Sequence, residues 1–274
     1  MLDIVNGLFY GLVSGFSELF PVSAYAHSIL YTMFSGTVIP QFWRLASHAG
    51  CLLALLFFYR HQLKHMQREM RIASQRKSRR MRHPDMAAVY DGKMMMSASV
   101  PMVLGLVAAT QLGFLGDKLW LIAVLLIING ILLYIPQYLQ IGTKRSLSMG
   151  PSDSLIFGLC NALSCLPGIS GISCVILAGC RRGTEKTYIL DIAMLLMIPW
   201  FLGSLIFDLL AMIGTTQLGL LVIIGAALCA AAAFTAAYAS VGLLRYLAVR
   251  IGFHWFAYYS WGAGFVCLIL YLMI

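Results

Sequence analysis

Charged residues are scarce in this sequence. Of its 274 residues, 11% are charged and only ten are acidic, whereas 61% are hydrophobic and the mean hydropathy is +0.86. A soluble domain carries about 25% charged residues, so the composition argues against one. Because a spanning helix takes about 20 apolar residues, the length predicts a single membrane domain, residues 1–274, with roughly six to ten spanning and partly spanning helices.

Two common signals are also missing. The N-terminal segment has no basic stretch and no small-residue cleavage site, and its apolar run already contains Glu18, so we expect no cleavable signal peptide. The seven cysteines lie almost wholly in apolar stretches and form no Cys-x-x-Cys pair. We therefore expect small buried side chains rather than a metal or disulfide framework.

Positive charge is concentrated in one stretch. Arg60–Arg82 contains nine Lys or Arg residues and one acid, Glu69. No aromatic residues are interleaved with these charges, so we expect no nucleic-acid partner. The positive-inside rule instead predicts that 60–95 is a basic cytoplasmic loop, near enough to the membrane to attract anionic lipid headgroups. The link Pro136–Asp153, with its own basic residues, is expected on the same side.

Long apolar runs predict the spanning helices. They cover residues 45–59, 98–115, 119–135, 189–213, 218–244 and 255–274. The second and third runs are separated only by Gly116–Lys118, which predicts a tight hairpin, and the fourth and fifth by Gly214–Gln217. The fifth run is rich in Gly and Ala, which permits close helix contact.

Two polar breaks interrupt the apolar sequence. The first lies in Gly11–His27 and the second in Gly158–Ser170. When Ser23 is set against Ser170, five of thirteen positions are identical. Chance similarity between apolar segments is one explanation. The other is a duplication, with one repeat over about 1–136 and a second over about 154–274, and a shared central site.

The apolar pieces on either side of the second break, 155–166 and 172–179, are each too short to cross a bilayer. They predict a re-entrant helix–loop–helix. The predicted fold is therefore an all-α integral membrane protein, a helix bundle with inverted-topology repeats and two re-entrant helix hairpins.

The breaks suit the binding of an anion. A proline frees backbone polar groups, and a helix that restarts after it directs its N–H groups and positive dipole end into the gap. Glu18 and His27 are the acid–base candidates, and we expect them to face one polar cavity with Ser23 and Ser170. Glu18 could also hold a divalent metal. Ser23 could be a nucleophile if His27 or Glu18 activates it, and helix capping is the alternative role for both serines.

Three other polar side chains lie in predicted spans. His48 is either a satisfied histidine of the bundle or a site residue. Asp191 and Asp208 are interpreted as helix-end or interhelical polar groups rather than as ligands.

Two motifs resemble those of the undecaprenyl-diphosphate phosphatase family of bacterial inner-membrane proteins. The family's first motif reads roughly Glu-Gly-x-Thr-Glu-Phe-Leu-Pro-Val-Ser-Ser-x-Gly-His, and this chain has Ser14-Gly-Phe-Ser-Glu-Leu-Phe-Pro-Val-Ser-Ala-Tyr-Ala-His27. The second reads roughly Pro-Gly-x-Ser-Arg-Ser-Gly, against Pro167-Gly-Ile-Ser-Gly-Ile-Ser173. Ser47–Ala54 and Phe256–Tyr259 also look like family segments, in the same order along nearly the whole chain.

The resemblance implies a multi-pass, ten-helix protein of the bacterial inner membrane. It implies hydrolysis of a polyprenyl diphosphate to the monophosphate, in the recycling of the lipid carrier for peptidoglycan synthesis, with a divalent cation, Mg or Ca. Glu18, Ser23 and His27 are then the candidate catalytic residues, with Glu18 also at the metal. The candidate substrate-binding residues are Ser17, Ser164, Ser170, Ser173, Arg181 and Arg182.

The chain departs from the motifs at three positions, where Ser14, Ala24 and Gly171 stand in place of Glu, Ser and Arg. Loss of a phosphate-clamping group typically costs about 10²–10³ in rate. Two functions therefore stay open: a phosphoric anhydride hydrolase of reduced activity, or a non-catalytic binder or transporter of polyprenyl phosphate. If the chain is a hydrolase, we expect Gly171→Arg with Ser14→Glu to raise kcat, and Arg181 or Arg182 to be the other candidates for the missing cation.

Overall fold

The computed structural model describes residues 2–75, 82–140, 142–213 and 219–273. Within these ranges the chain forms eleven α-helices joined by short turns. They are α1 Leu2–Leu19, α2 Ala24–Ser35, α3 Gln41–Phe58, α4 Arg60–Gln75, α5 Met86–Gln111, α6 Leu119–Tyr134, α7 Pro151–Ala162, α8 Gly171–Arg181, α9 Lys186–Met212, α10 Leu220–Arg250 and α11 His254–Met273.

Among the described residues, six helices are long and apolar enough to cross a membrane, and each overlaps a predicted run, although Met86–Gln111 begins twelve residues before the predicted start. They are Gln41–Phe58, Met86–Gln111, Leu119–Tyr138, Lys186–Met212, Leu220–Arg250 and His254–Met273. The all-α, multi-pass membrane class is thus confirmed. A 3-10 turn, Gly113–Asp117, joins α5 to α6 where the hairpin was predicted. The link Gly214–Gln217 lies outside the described residues, and the inverted repeats and re-entrant hairpins stay predictions.

The basic stretch is helical rather than a loop. Its described part from Arg60 to Gln75 forms α4, and α5 begins within the predicted 60–95 segment. Glu69, its one acid, is buried and accepts from the Arg82 guanidinium at 3.0 Å and from the backbone N–H of Asp85 at 2.9 Å. These contacts hold α4 against the start of α5. Residues 76–81 lie outside the described part of the chain.

The core lies around α9, whose side chains are buried between α3, α5 and α8. The most extensive helix contact is between α1 and α10. A Cβ added at Gly7 would stand 2.6 Å from the carbonyl oxygen of Gly225, so small residues let the two backbones meet, as the composition of α10 predicted. Four of the seven cysteines are buried within the helix bundle: Cys51, Cys174, Cys229 and Cys267.

The two polar breaks meet at the centre of the bundle. The first separates α1 from α2, and the second separates α7 from α8. The carbonyl oxygen of Pro21 accepts from the Ser173 hydroxyl at 2.8 Å and from the Asn129 amide at 3.1 Å. The Asn129 carbonyl oxygen in turn accepts from the backbone N–H of Ser170 at 2.9 Å. Asn129, fully buried on α6, therefore holds both breaks in one place.

Candidate active site

A polar cavity of about 470 Å³ opens where the two breaks meet. The α1–α2 break, α3, the α7–α8 break and α9 all contribute to its wall. Its polar and charged lining includes Ser17, Glu18, Ser23, Gln41, Arg44, His48, Ser164, Ser170, Ser204 and Asp208.

An imidazole between two carboxylates dominates this cavity. His48 Nδ1 lies 2.6 Å from Asp208 Oδ2, and His48 Nε2 lies 3.4 Å from Glu18 Oε1. The other Asp208 oxygen accepts from the Gln41 amide at 3.0 Å. Because Asp208 engages Nδ1, the ring is fixed with Nε2 directed toward Glu18. The second ring nitrogen, which faces Glu18, is the one positioned to take or give a proton.

The spacing of polar residues on α3 explains this placement. Gln41, Arg44 and His48 recur at intervals of three and four residues, so they share one face of the helix, and all three line the cavity. The opposite face carries Trp43 and Gly50, which are buried. The remaining partners come from α1 and α9, both of which pack against α3.

The Ser23 hydroxyl joins the breaks. Its oxygen accepts from the backbone N–H of Gly168 at 2.9 Å and from that of Ala26 at 3.4 Å, and Ser23 is 1% exposed. The second bond is a helix cap, so the capping role is confirmed for Ser23. Ser170 occupies the N-cap position of α8 without such a bond. There the backbone N–H of Gly171 donates to Ser164 Oγ at 2.9 Å.

Almost the whole sequence matches one protein family. A family model described as bacitracin resistance protein BacA matches residues 7–266. The chain belongs to this family. It is similar to a protein of Methanobrevibacter smithii named undecaprenyl-diphosphatase, with 26% identity over 273 residues, 97% of this chain and 96% of the relative.

Two further relatives carry the same name. One from Rubrobacter xylanophilus is 25% identical over 271 residues, which cover 95% of this chain and 92% of the relative. One from Nocardioides is 28% identical over 214 residues, which cover 76% of each. The family resemblance read from the two motifs is thus confirmed.

Of the predicted site residues, Ser17, Glu18, Ser23, Ser164 and Ser170 line the cavity, as expected. The prediction that His27 lines it with them is wrong. His27 lines a second, mostly apolar cavity of about 570 Å³. Its Nδ1 lies 2.6 Å from the backbone oxygen of Ser23 and its Nε2 2.6 Å from the Tyr259 hydroxyl, so both ring nitrogens are engaged there.

The two arginines predicted to bind substrate lie elsewhere. Arg182 forms an ion pair with Asp153 at the start of α7. Arg181 is exposed at the end of α8, about 15 Å along the helix axis from Gly171. Neither lines the cavity. Ser173 is buried behind it, where its hydroxyl donates to Pro21, so it supports the first break rather than facing a ligand.

The cavity holds no preformed cage for a metal. Among the described residues, no group of three His, Cys, Asp or Glu side chains is arranged to hold an ion. Glu18 and Asp208 contact opposite nitrogens of the His48 ring instead of converging on one point. A Mg²⁺ site needs only one or two carboxylates when substrate phosphates and water complete its shell, and Glu18 could supply one of them.

Sequence reasoning missed three residues of the site: Gln41, Arg44 and Asp208. The period of polar residues along α3 could have indicated the first two, since an Arg within an apolar span is costly unless it faces water or a partner. Asp208 was interpreted as an interhelical polar group, which it is, but its partner His48 is part of the cavity wall. No local pattern links residues 160 positions apart.

Proposed function

We propose that this chain hydrolyses a polyprenyl diphosphate, such as undecaprenyl diphosphate, to the monophosphate and inorganic phosphate. The observation that carries the proposal is the His48 imidazole held between Glu18 and Asp208 in a polar cavity at the two helix breaks. Relatives along almost the whole chain are named undecaprenyl-diphosphatase. Membership of the same family supports the same reaction here.

In this proposal His48 is the general base. Asp208 orients the ring and stabilises its protonated form, while Nε2 takes a proton from water. The water oxygen bonds to the terminal phosphorus, the bond from that phosphorus to the bridging oxygen breaks, and the lipid monophosphate leaves with that oxygen. Glu18, at 3.4 Å from Nε2, positions the water and stabilises the imidazolium that forms.

Water is a better nucleophile here than Ser23. A hydroxyl oxygen has two lone pairs, and two backbone N–H groups already donate to that of Ser23. Neither nitrogen of His27 contacts this hydroxyl, since Nδ1 contacts the backbone oxygen of Ser23 instead. We therefore assign Ser23 to holding the breaks together and no proton transfer to His27.

The lipid chain would lie in the second cavity. Its wall, formed by α1, α10 and α11, is largely apolar. Ser17 and Val22 line both cavities, so the two adjoin. A polar and an apolar cavity side by side match an amphiphile with a diphosphate head and a hydrocarbon tail.

The divalent cation implied by the resemblance, Mg or Ca, would enter with the diphosphate. Phosphate oxygens would supply most of its ligands and Glu18 one more, which matches how Mg²⁺ is usually bound. When bound, such an ion neutralises charge on the phosphate oxygens.

The bacterial inner membrane is the proposed location, with α4 on the cytoplasmic side near anionic headgroups. Polyprenyl monophosphate produced there would return to the lipid-carrier pool for peptidoglycan synthesis.

Phosphate release from undecaprenyl diphosphate by the purified protein tests the proposal. We expect His48→Gln and Asp208→Asn each to lower kcat by about 10²–10⁴, the usual contribution of a general base. His61→Gln, at an exposed position on α4, is the matched control and should leave kcat unchanged. A wild-type protein that binds the lipid but releases no phosphate would reject the reaction, and full activity in His48→Gln would reject the assignment of the base.

A further inference from the structure

The position that carries Arg in the family motif cannot hold one in this chain. Gly171 stands there, at the first turn of α8, against α7. A Cβ added to it would lie 2.7 Å from the backbone oxygen of Asn161 and 3.0 Å from the Asn161 Cα. These backbone atoms cannot move away to make room, as the end of a flexible side chain can. The backbone of α7 occupies the place of the first side-chain carbon, so a cation for the phosphates must come from another element.

Arg44 lies on the wall of the same cavity. It is the only Lys or Arg among the described residues that line it. The acids of the cavity do not neutralise it, because Glu18 and Asp208 both contact His48. Across the described part of the chain, the Arg44 guanidinium takes part in no ion pair or side-chain hydrogen bond.

An unpaired guanidinium in a spanning helix needs a compensating partner. Charged side chains within spanning helices typically face a cavity and mark a ligand path. Arg44 is half-buried on α3 and faces a cavity that already holds two carboxylates. Without a fixed cation, those carboxylates would repel an anionic ligand.

We propose that Arg44 binds the diphosphate of the lipid substrate and so takes over, from α3, the task that the motif Arg performs from the start of α8. This inference rests on the proposed function. A guanidinium donates two parallel hydrogen bonds to phosphate oxygens, a geometry that an ammonium cannot reproduce. Arg44 lies one helical turn before His48, where side chains are neighbours, so a phosphate held by Arg44 is presented to the base.

Three variants separate this role from a structural one. Arg44→Gln removes the charge, and Arg44→Lys keeps the charge but lacks the two parallel donors of the guanidinium. Arg71→Gln, at an exposed position on α4, is the matched control. The measurements are phosphate release from farnesyl diphosphate, the direct binding of that lipid by calorimetry, and the inhibition constant of inorganic pyrophosphate. The melting temperature of each variant reports folding.

We expect Arg44→Gln to lower kcat/KM by about 10²–10³ and to weaken lipid and pyrophosphate binding, since both carry the group that Arg44 contacts. Arg44→Lys should retain part of the wild-type activity and binding, and Arg71→Gln should retain all of the activity and binding. Because pyrophosphate has no lipid chain, its weaker binding cannot arise from a disturbed tail cavity.

The outcomes distinguish this inference from the proposed function. If the wild-type protein hydrolyses the lipid and folded Arg44→Gln or Arg44→Lys binds pyrophosphate as tightly as the wild type, the inference is wrong and the function stands. If the wild-type protein binds farnesyl diphosphate without hydrolysis, and Arg44→Gln loses that binding, the function is wrong and Arg44 keeps its role. If the wild-type protein binds neither farnesyl diphosphate nor pyrophosphate, both are wrong.

Discussion

The hydroxyl oxygen of Ser23 accepts a hydrogen bond from the backbone N–H of Gly168 at 2.9 Å, across 145 residues of chain. Each of these residues lies in a break between two helices. A break leaves backbone groups without helical partners, and in a membrane those groups must be satisfied within the protein. Here each break satisfies part of the other, and the polar cavity lies at the place where they meet.

Removing this bond tests whether Ser23 links the two breaks structurally or acts as the nucleophile. Ser23→Ala leaves the buried N–H of Gly168 without a partner, which costs about 1–3 kcal/mol, so we expect a lower melting temperature. We expect hydrolysis to fall no more than about tenfold, as it would for a shift of the cavity wall. Ser99→Ala, whose hydroxyl bonds only within α5 on an exposed face, is the control. Complete loss of phosphate release in folded Ser23→Ala would identify Ser23 as the nucleophile.

Restoring the lost motif residues should fail. The sequence alone led us to expect that Gly171→Arg with Ser14→Glu would raise kcat. In the structure, a side chain at Gly171 meets the backbone of α7, and Ser14 is 3% exposed and does not line the cavity. We now expect the double variant to be destabilised and less active, because it adds an overpacked side chain and a buried carboxylate. A folded double variant with a raised kcat would contradict this.

A milder pair of variants isolates the steric part of that argument. Gly171→Ala adds only a Cβ and should cost about 1–3 kcal/mol of stability, as overpacking does. Gly262→Ala, on α11, where a Cβ meets nothing within 4 Å, is the control and should be neutral or stabilising. Equal melting temperatures for the two variants would show that α7 and α8 can move apart.

The sequence predicted the long helices and the two breaks because both leave local patterns. An apolar run reveals α3, and Pro21 and Pro167 mark the breaks. It could not predict which histidine faces the cavity. His27 lies only four residues after Ser23 and was favoured for that reason, yet its ring turns toward Tyr259 on α11. His48 was left open between a structural and a site role because its partner Asp208 comes from α9.

Local sequence patterns also could not show that Arg44 takes the place of the motif Arg. A motif gives the position of a functional group in relatives, and in this chain the backbone of α7 leaves no room for a side chain at that position, Gly171. Space is a property of helix packing, so the clash at Gly171 with Asn161 is visible only in the fold. The motif departure was read correctly as the loss of a cation, whereas Arg181 and Arg182 were proposed as substitutes from proximity along the chain.

Cation binding should depend on the diphosphate. Among the described residues of the cavity, Glu18 is the one carboxylate not already held by two neighbours, since Asp208 contacts both Gln41 and His48. We therefore expect weak Mg²⁺ or Ca²⁺ binding to the protein alone, tighter binding with farnesyl diphosphate present, and loss of hydrolysis with a chelator. Calorimetric titration measures this. Glu18→Gln should weaken the tighter phase and the exposed Asp117→Asn should not. Equally tight binding without lipid would contradict it.

The second cavity should discriminate by chain length. Leu247→Trp on α10 adds bulk to its wall. We expect about a tenfold rise in KM for undecaprenyl diphosphate, since a filled pocket buries less of the tail, and little change in kcat or in the binding of pyrophosphate. Leu220→Trp, at the exposed start of the same helix and outside the cavity, is the control. An unchanged KM for the long lipid would place the tail elsewhere.

Membrane orientation is decided by labelling from one side. The nine basic residues of Arg60–Arg82 predict a cytoplasmic location for α4. A cysteine at the exposed Ser74 should therefore resist an impermeant reagent added to intact cells, in a background without the seven native cysteines. Since α5 can span the membrane, a cysteine at the exposed Lys118, beyond its far end, should be labelled. Labelling of Ser74→Cys with protection of Lys118→Cys would reverse the topology, and the basic helix would then face the outside.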